Sequence, residues 1–158
     1  MGKIVLATII ISGSAKWLLN VDGNKEKWYG SDRIFMYVMT VFGAMTVNYS
    51  EQCTEYGWVV SNLRLLAGCL LAGGLLSAAY MDRRNCWVYN YVWWWCLPWA
   101  GILGMTAGGE FSGIVAVLVF VMLQQLLFSR MYGKADCHAF SVCALAECGN
   151  AVLSLIHI

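Results

Sequence analysis

Charge and proline are scarce in this chain. Only 12% of its 158 residues are Asp, Glu, Lys or Arg, against about 25% in an average soluble domain, and Pro98 is the single proline. So little charge cannot clothe a globule of this size in water. There is no Pro/Gly/Ser-rich linker, low-complexity segment or internal repeat, so residues 1–158 read as one domain. Ten basic residues against nine acidic ones leave a formal charge of +1, which provides neither a basic face for nucleic acid nor an acidic tail. The seven cysteines, at positions 53, 69, 86, 96, 137, 143 and 148, include no C-x-x-C pair. That argues against a zinc site or a disulfide scaffold, and the cysteines read as small apolar side chains. No metal and no cofactor are expected.

What the chain has is apolar length. It is 60% hydrophobic and 14% aromatic, and six runs come near the roughly 20 residues that a membrane crossing needs: Ile4–Val21, Ile34–Tyr49, Leu63–Met81, Val88–Ala107, Phe111–Phe128 and Cys137–Ile158. The composition predicts an all-α membrane protein, a polytopic bundle of about six transmembrane helices with the lipid bilayer as its solvent. The first run also has the charged start, apolar middle and small-residue Ser-Gly-Ser-Ala segment of a signal peptide. A retained helix is favoured because Trp17, Leu18 and Leu19 carry the apolar stretch past Ala15. The last run stops without a polar segment, and a truncated or divergent C-terminus is expected there.

Loop charge orients the bundle. Lys25, Lys27 and Arg33 follow the first run, Arg83 and Arg84 the third, and Arg130 and Lys134 the fifth. Seven of the ten basic residues therefore fall on one face, the cytoplasmic one by the positive-inside rule. Lys3 dissents. The Trp residues at 28, 58, 87 and 93–95 suit interfacial anchoring or contacts between helices. Helices in lipid associate through small residues that allow close approach. Gly68, Ala72, Gly73 and Gly74 line the third run, and Ala100, Gly104 and Gly108 the fourth, which Pro98 should bend.

A carboxylate at membrane depth costs about 2.5 to 3.5 kcal/mol at a helix centre, so Asp82, Asp136 and Glu147 are the candidates for chemistry. Asp82 closes the third run and Asp136 opens the sixth, and the topology puts both at cytoplasmic helix ends. Two carboxylates held close cannot both ionise easily, and a pair sharing one proton is the arrangement of an aspartyl protease. One would take a proton from the attacking water while the other donates to the peptide carbonyl. The bland alternative is two solvated acids beside Arg83 and Lys134.

Around Asp82 the chain reads Ala-Ala-Tyr-Met-Asp-Arg-Arg-Asn-Cys-Trp-Val-Tyr-Asn, and around Asp136 Tyr-Gly-Lys-Ala-Asp-Cys-His-Ala-Phe. This resembles the type IV prepilin peptidases, a family of GxGD-type intramembrane aspartyl peptidases. There the first aspartate precedes a basic turn ending in Ile-Pro-Asn, and the second lies in Gly-x-Gly-Asp at the start of a later helix. The resemblance implies that Asp82 and Asp136 are catalytic, that Val88 and Asn90 match the Ile and Asn of the turn, and that Gly133 matches the second motif. Tyr89 replaces the proline, and Ala135 replaces the glycine before the second aspartate, which removes φ freedom there.

The resemblance further implies an aspartic-type endopeptidase of the bacterial plasma membrane. Its substrate and partner would be a pilin-like precursor, cut at the cytoplasmic face just before its hydrophobic helix. Arg83, Arg84 and Lys134 are candidates for placing that substrate, although the positive-inside rule alone would put them at this face. The chain lacks the paired C-x-x-C motifs of the larger methylating members and looks like a peptidase-only form. Glu147, about three helical turns beyond Asp136, reads as structural glue, with Gln124 and Gln125 as hydrogen-bond partners. His138 reads as a packing or interfacial residue. Two other readings stand beside the peptidase: an inactive, peptidase-like membrane scaffold, and a small proton-coupled transporter using the three acids. The sequence sets no oligomeric state.

Overall fold

A computed structural model of the chain describes residues 2–21, 30–52, 57–106, 111–128 and 133–147. Among these the protein is all-α, without a strand. The helices are α1 (Gly2–Asn20), α2 (Gly30–Gln52), α3 (Trp58–Asn85), α4 (Asn90–Thr106), α5 (Phe111–Leu123), which continues into a π-helical turn over Gln124–Phe128, and α6 (Lys134–Ala146). Each falls on one of the apolar runs. The helices overrun them where polar end residues stay helical, as over Asp82–Asn85 at the end of α3. The sixth run is helical over Lys134–Ala146, and its part beyond Glu147 lies outside the described residues. Pro98 sits inside α4, which continues on both sides of it, and its missing N–H leaves one turn without its backbone donor.

Two helices, α1 and α3, are long and apolar enough to cross a membrane. The others differ from the expected six spans in length. The helix α2 has 23 residues but carries Asp32, Arg33 and Glu51 toward its ends, α4 has 17 residues, α5 has 13 followed by 5 in the π turn, and α6 has 13. Their outward faces are nonetheless apolar. Ile34, Val38 and Phe42 on α2, Trp94 and Met105 on α4, and Leu118, Met122 and Leu126 along α5 and its π turn are all exposed.

The centre of the bundle is α3, which packs against α1, α2 and α4, while α6 packs on the far side of α4. Side-chain pairings give the directions. Ile11 and Ser14 meet Gly73, and the Ser77 hydroxyl lies 3.3 Å from the Ala15 carbonyl oxygen, so α1 and α3 run parallel. Val47 meets Gly68 and the Arg83 guanidinium lies 4.7 Å over the Phe35 ring, so α2 runs antiparallel to α3. At the start of α3, Arg64 donates through Nη1 to the Leu103 carbonyl (3.1 Å) and the Thr106 hydroxyl (2.9 Å) at the end of α4. These two helices are therefore antiparallel as well. Tyr91 ties α4 to α1 through its hydroxyl and the Leu18 carbonyl, 3.1 Å apart.

Close approach is set by glycine. A β-carbon on Gly73 would overlap the Ser14 hydroxyl and stand 3.0 Å from the Ile11 carbonyl oxygen. One on Gly74 would overlap the Cys96 sulfur and stand 3.1 Å from Cδ1 of Trp95. Successive residues thus admit α1 on one side of α3 and α4 on the other. Gly68 and Ala72 instead meet α2, at Val47 and Gly43, and Ala100 and Gly104 are buried on α4, while Gly108 lies outside the described residues. Gly73→Ala and Gly74→Ala should each destabilise the protein by about 1–3 kcal/mol through overpacking. Gly101→Ala, where a β-carbon meets open space, should be neutral or stabilising by up to about 1 kcal/mol. Equilibrium unfolding in detergent measures all three, and equal costs at 73 and 101 would contradict the seam.

Candidate functional site

Asp82 lies in the last turn of α3 and is exposed. Its backbone carbonyl accepts the Cys86 N–H at 2.8 Å, and Cys86 closes the helix in the left-handed conformation, φ 51° and ψ 29°. The chain then turns through Trp87, Val88 and Tyr89 into α4. Val88 is buried and fastens this turn into an apolar cluster with Met81, Val92 and Trp93. Tyr89, in the place of the family's proline, stacks on Tyr91 with ring centres 5.7 Å apart and planes 15° from parallel. Asn90 is the first residue of α4 and is exposed.

Asp136 lies in the first turn of α6 and is also exposed. Gly133 is the N-cap and carries no capping side chain. A β-carbon there would stand 3.4 Å from Asp136 Oδ2, so the carboxylate folds back over the helix start. Helix N-termini carry partial positive charge and C-termini partial negative charge. The two aspartates therefore occupy helix ends of opposite sign. Ala135 is helical and packs against the cluster that holds Met81 and Val88, so its backbone makes no demand that only glycine could meet.

The start of α6 lies beside the start of α4. His138 meets Trp93 edge-on, ring centres 5.8 Å apart. Gln125, in the π turn, hydrogen-bonds His138 Nδ1 at 3.2 Å and donates to Ser141 Oγ at 3.3 Å. Because α4 begins directly after α3 ends, Asp82, Asn90, Lys134 and Asp136 share one end of the bundle, together with Arg33, Arg83 and Arg84. Lys3 stands at the other end. A cleft of about 380 Å³ opens between Asn90, Trp93 and Leu97 on one wall and Gln125, His138 and Ser141 on the other.

The remaining candidates fall out differently. Arg83 covers Phe35, and Arg84 donates to the Tyr80 hydroxyl at 3.0 Å, while Lys134 is exposed at the start of α6. Glu147 is the exposed C-cap residue of α6, three turns from Asp136, and Gln125 bonds His138 and Ser141 rather than Glu147. The Gln124 Oε1 atom is buried without a partner among the described residues. His138, expected as a packing residue, has both an aromatic neighbour and a polar one. Its i, i+3 spacing to Ser141 was the available signal for that pairing. Among the cysteines, Cys69, Cys96 and Cys137 are buried as expected, whereas Cys86 and Cys143 are exposed, and Cys53 and Cys148 lie outside the described residues.

No family model matches this chain, and neither does any curated protein or solved structure. The likeness to the prepilin peptidases thus rests on the residues from Asp82 to Asn90 and from Gly133 to Asp136.

Cys86→Gly should raise stability by up to about 1 kcal/mol, because a left-handed L-residue is strained by about 1–2 kcal/mol and glycine recovers most of that at the expense of unfolded-state entropy. Gln125→Leu should lower it by about 0.6 to 1.7 kcal/mol, the range for hydrogen bonds between helices in membranes. Unfolding of the two variants in the same detergent checks both signs.

Proposed function

We propose that this protein is a polytopic membrane endopeptidase of the aspartyl type, with Asp82 and Asp136 as its catalytic pair at the cytoplasmic ends of their helices. The observation that carries this reading is that both carboxylates are exposed at one end of the bundle, on helices joined through one apolar cluster. Exposed Ile34, Phe42, Trp94, Met105, Met122 and Leu126 favour a bilayer around all six helices, since apolar patches on this scale are foreign to water-facing monomers. The basic residues at that same end favour the cytoplasmic assignment.

In this mechanism a bound substrate draws the two carboxyls together over the scissile bond. Asp136, at the positive end of α6, acts as the base and takes a proton from water as the water oxygen attacks the scissile carbonyl. Asp82, at the negative end of α3, supplies the proton that the carbonyl oxygen receives. Collapse of the tetrahedral intermediate returns a proton to the leaving amine and the pair to its starting state. No metal or cofactor takes part. The substrate class is a pilin-like precursor whose hydrophobic helix lies in the bilayer and whose leader emerges at the cytoplasmic face. Arg83, Arg84 and Lys134 border that exit, and Asn90, Gly133 and Ala135 shape the two motif turns.

The folding back of Asp136 over Gly133 favours a second reading, in which the acid only closes a helix and the chain is a non-cleaving membrane scaffold. Cleavage of a pilin-like precursor in membranes separates the two. With equal insertion of all forms, Asp82→Asn and Asp136→Asn should each lower cleavage by about 10²-fold or more. Cleavage that survives both substitutions rules out the pair, and a wild type that cuts none of several precursors leaves the scaffold.

A further inference from the structure

A groove of about 330 Å³ runs between α1 and α2, on helices that carry neither Asp82 nor Asp136. Its mouth is cationic. Lys16 stands four residues before the end of α1 and Arg33 three residues after the start of α2. At about 1.5 Å per residue both charges lie roughly 5–6 Å inside their helix ends, at matching depth on antiparallel neighbours. Tyr37, one turn below Arg33, adds an exposed side chain to the same wall. Among the described residues no carboxylate lines the groove.

Deeper in, the character changes. The Ser12 and Thr40 hydroxyls donate to their own helices, at the Ile9 carbonyl (3.1 Å) and the Met36 carbonyl (2.6 Å), so the lower walls present little that is polar and free to donate. On the α1 face that carries Lys16 and Ser12, helical spacing continues to Ile9 and Val5, and on the α2 face of Arg33 and Tyr37 it continues to Val41. All three of these apolar residues are exposed. A cationic mouth near the helix ends, followed by an apolar track along two helices, has the amphiphilic order of a lipid.

We propose that this groove binds an anionic phospholipid, its phosphate between Lys16 and Arg33 and its acyl chains along Val5, Ile9 and Val41. Charge complementarity chooses this occupant over a zwitterionic lipid. The cytoplasmic leaflet, where the positive end of the bundle lies, is the anionic one, and basic pockets between membrane helices take such headgroups. The site rests on the membrane setting and orientation of the proposed reading but is independent of its peptidase chemistry.

The test is native mass spectrometry of the full chain released from nanodiscs of equal phosphatidylglycerol and phosphatidylcholine, with circular dichroism confirming helicity in every variant. Phosphatidylglycerol should be retained in preference to phosphatidylcholine. Lys16→Gln and Arg33→Gln should each weaken its retention about fivefold and the double variant about twenty-five-fold. Lys16→Arg should preserve it, and so should Lys3→Gln, which removes the same charge from the opposite end of α1. Equal retention of the two lipids, retention by the double variant, or an equal loss in Lys3→Gln would overturn the site. Displacement of the lipid by millimolar inorganic phosphate would assign the cations to a free anion and overturn the lipid assignment.

Discussion

The bundle depends on how closely two helices can approach α3 at one level. Gly73 and Gly74 face different neighbours, so α1 and α4 both reach the α3 backbone within a single residue step. In a bilayer the hydrophobic effect gives no drive for helices to associate, and contact of this kind has to supply it. Polar side chains reinforce the same level. Ser77 donates to the Gly73 carbonyl at 2.8 Å and lies near that of Ala15, and the Trp95 indole donates to the Leu70 carbonyl at 3.3 Å. With α3 fixed between α1 and α4, the ends of all three helices are fixed too, and the candidate site is built on those ends.

The site itself is assembled by continuity rather than by direct contact between its carboxylates. Asp82 is placed by the end of α3, and the turn through Cys86 and Val88 hands its position on to α4. Trp93 then receives His138 from α6, which carries Asp136 half a turn earlier. Gln125 holds the outer side of α6 from the π turn. Such turns add a residue to a helical repeat and occur often at functional sites. Here the insertion lets Gln124 turn inward while its neighbour reaches His138 and Ser141.

Much of this was legible in the residues, for physical reasons. Apolar runs broken by charge gave the all-α class and the order of the helices among the described residues. The small residues between 68 and 74 gave the seam along α3, because only small side chains serve there. The gathering of Arg33, Arg83, Arg84, Lys134 and both aspartates at one end followed from an even alternation of helices. Other features depend on tertiary context. Nothing in the repeat of Gln124–Phe128 marks a π turn, since the same apolar sequence suits an α-helix. Glu147 was assigned to the membrane interior because the apolar run continues past it, whereas α6 stops at Ala146 and leaves the acid exposed. The missing glycine at position 135 seemed a defect in the motif, but the residue is helical, and alanine is at home there.

The length of α3 bears on where water enters. Its 28 residues make a rod about 42 Å long, against a hydrocarbon layer of about 30 Å. Even at the common tilt of about 20° the rod outreaches that layer, and in the orientation proposed above its final turn, with Asp82, would stand among the lipid headgroups. On the peptidase reading, acids at that height would draw water from the bulk phase and need no hydrated channel through the bilayer. The restriction then passes to the other reactant. Only a peptide bond carried out to the headgroup layer could be cut, and bonds held in the acyl region would be spared by depth alone.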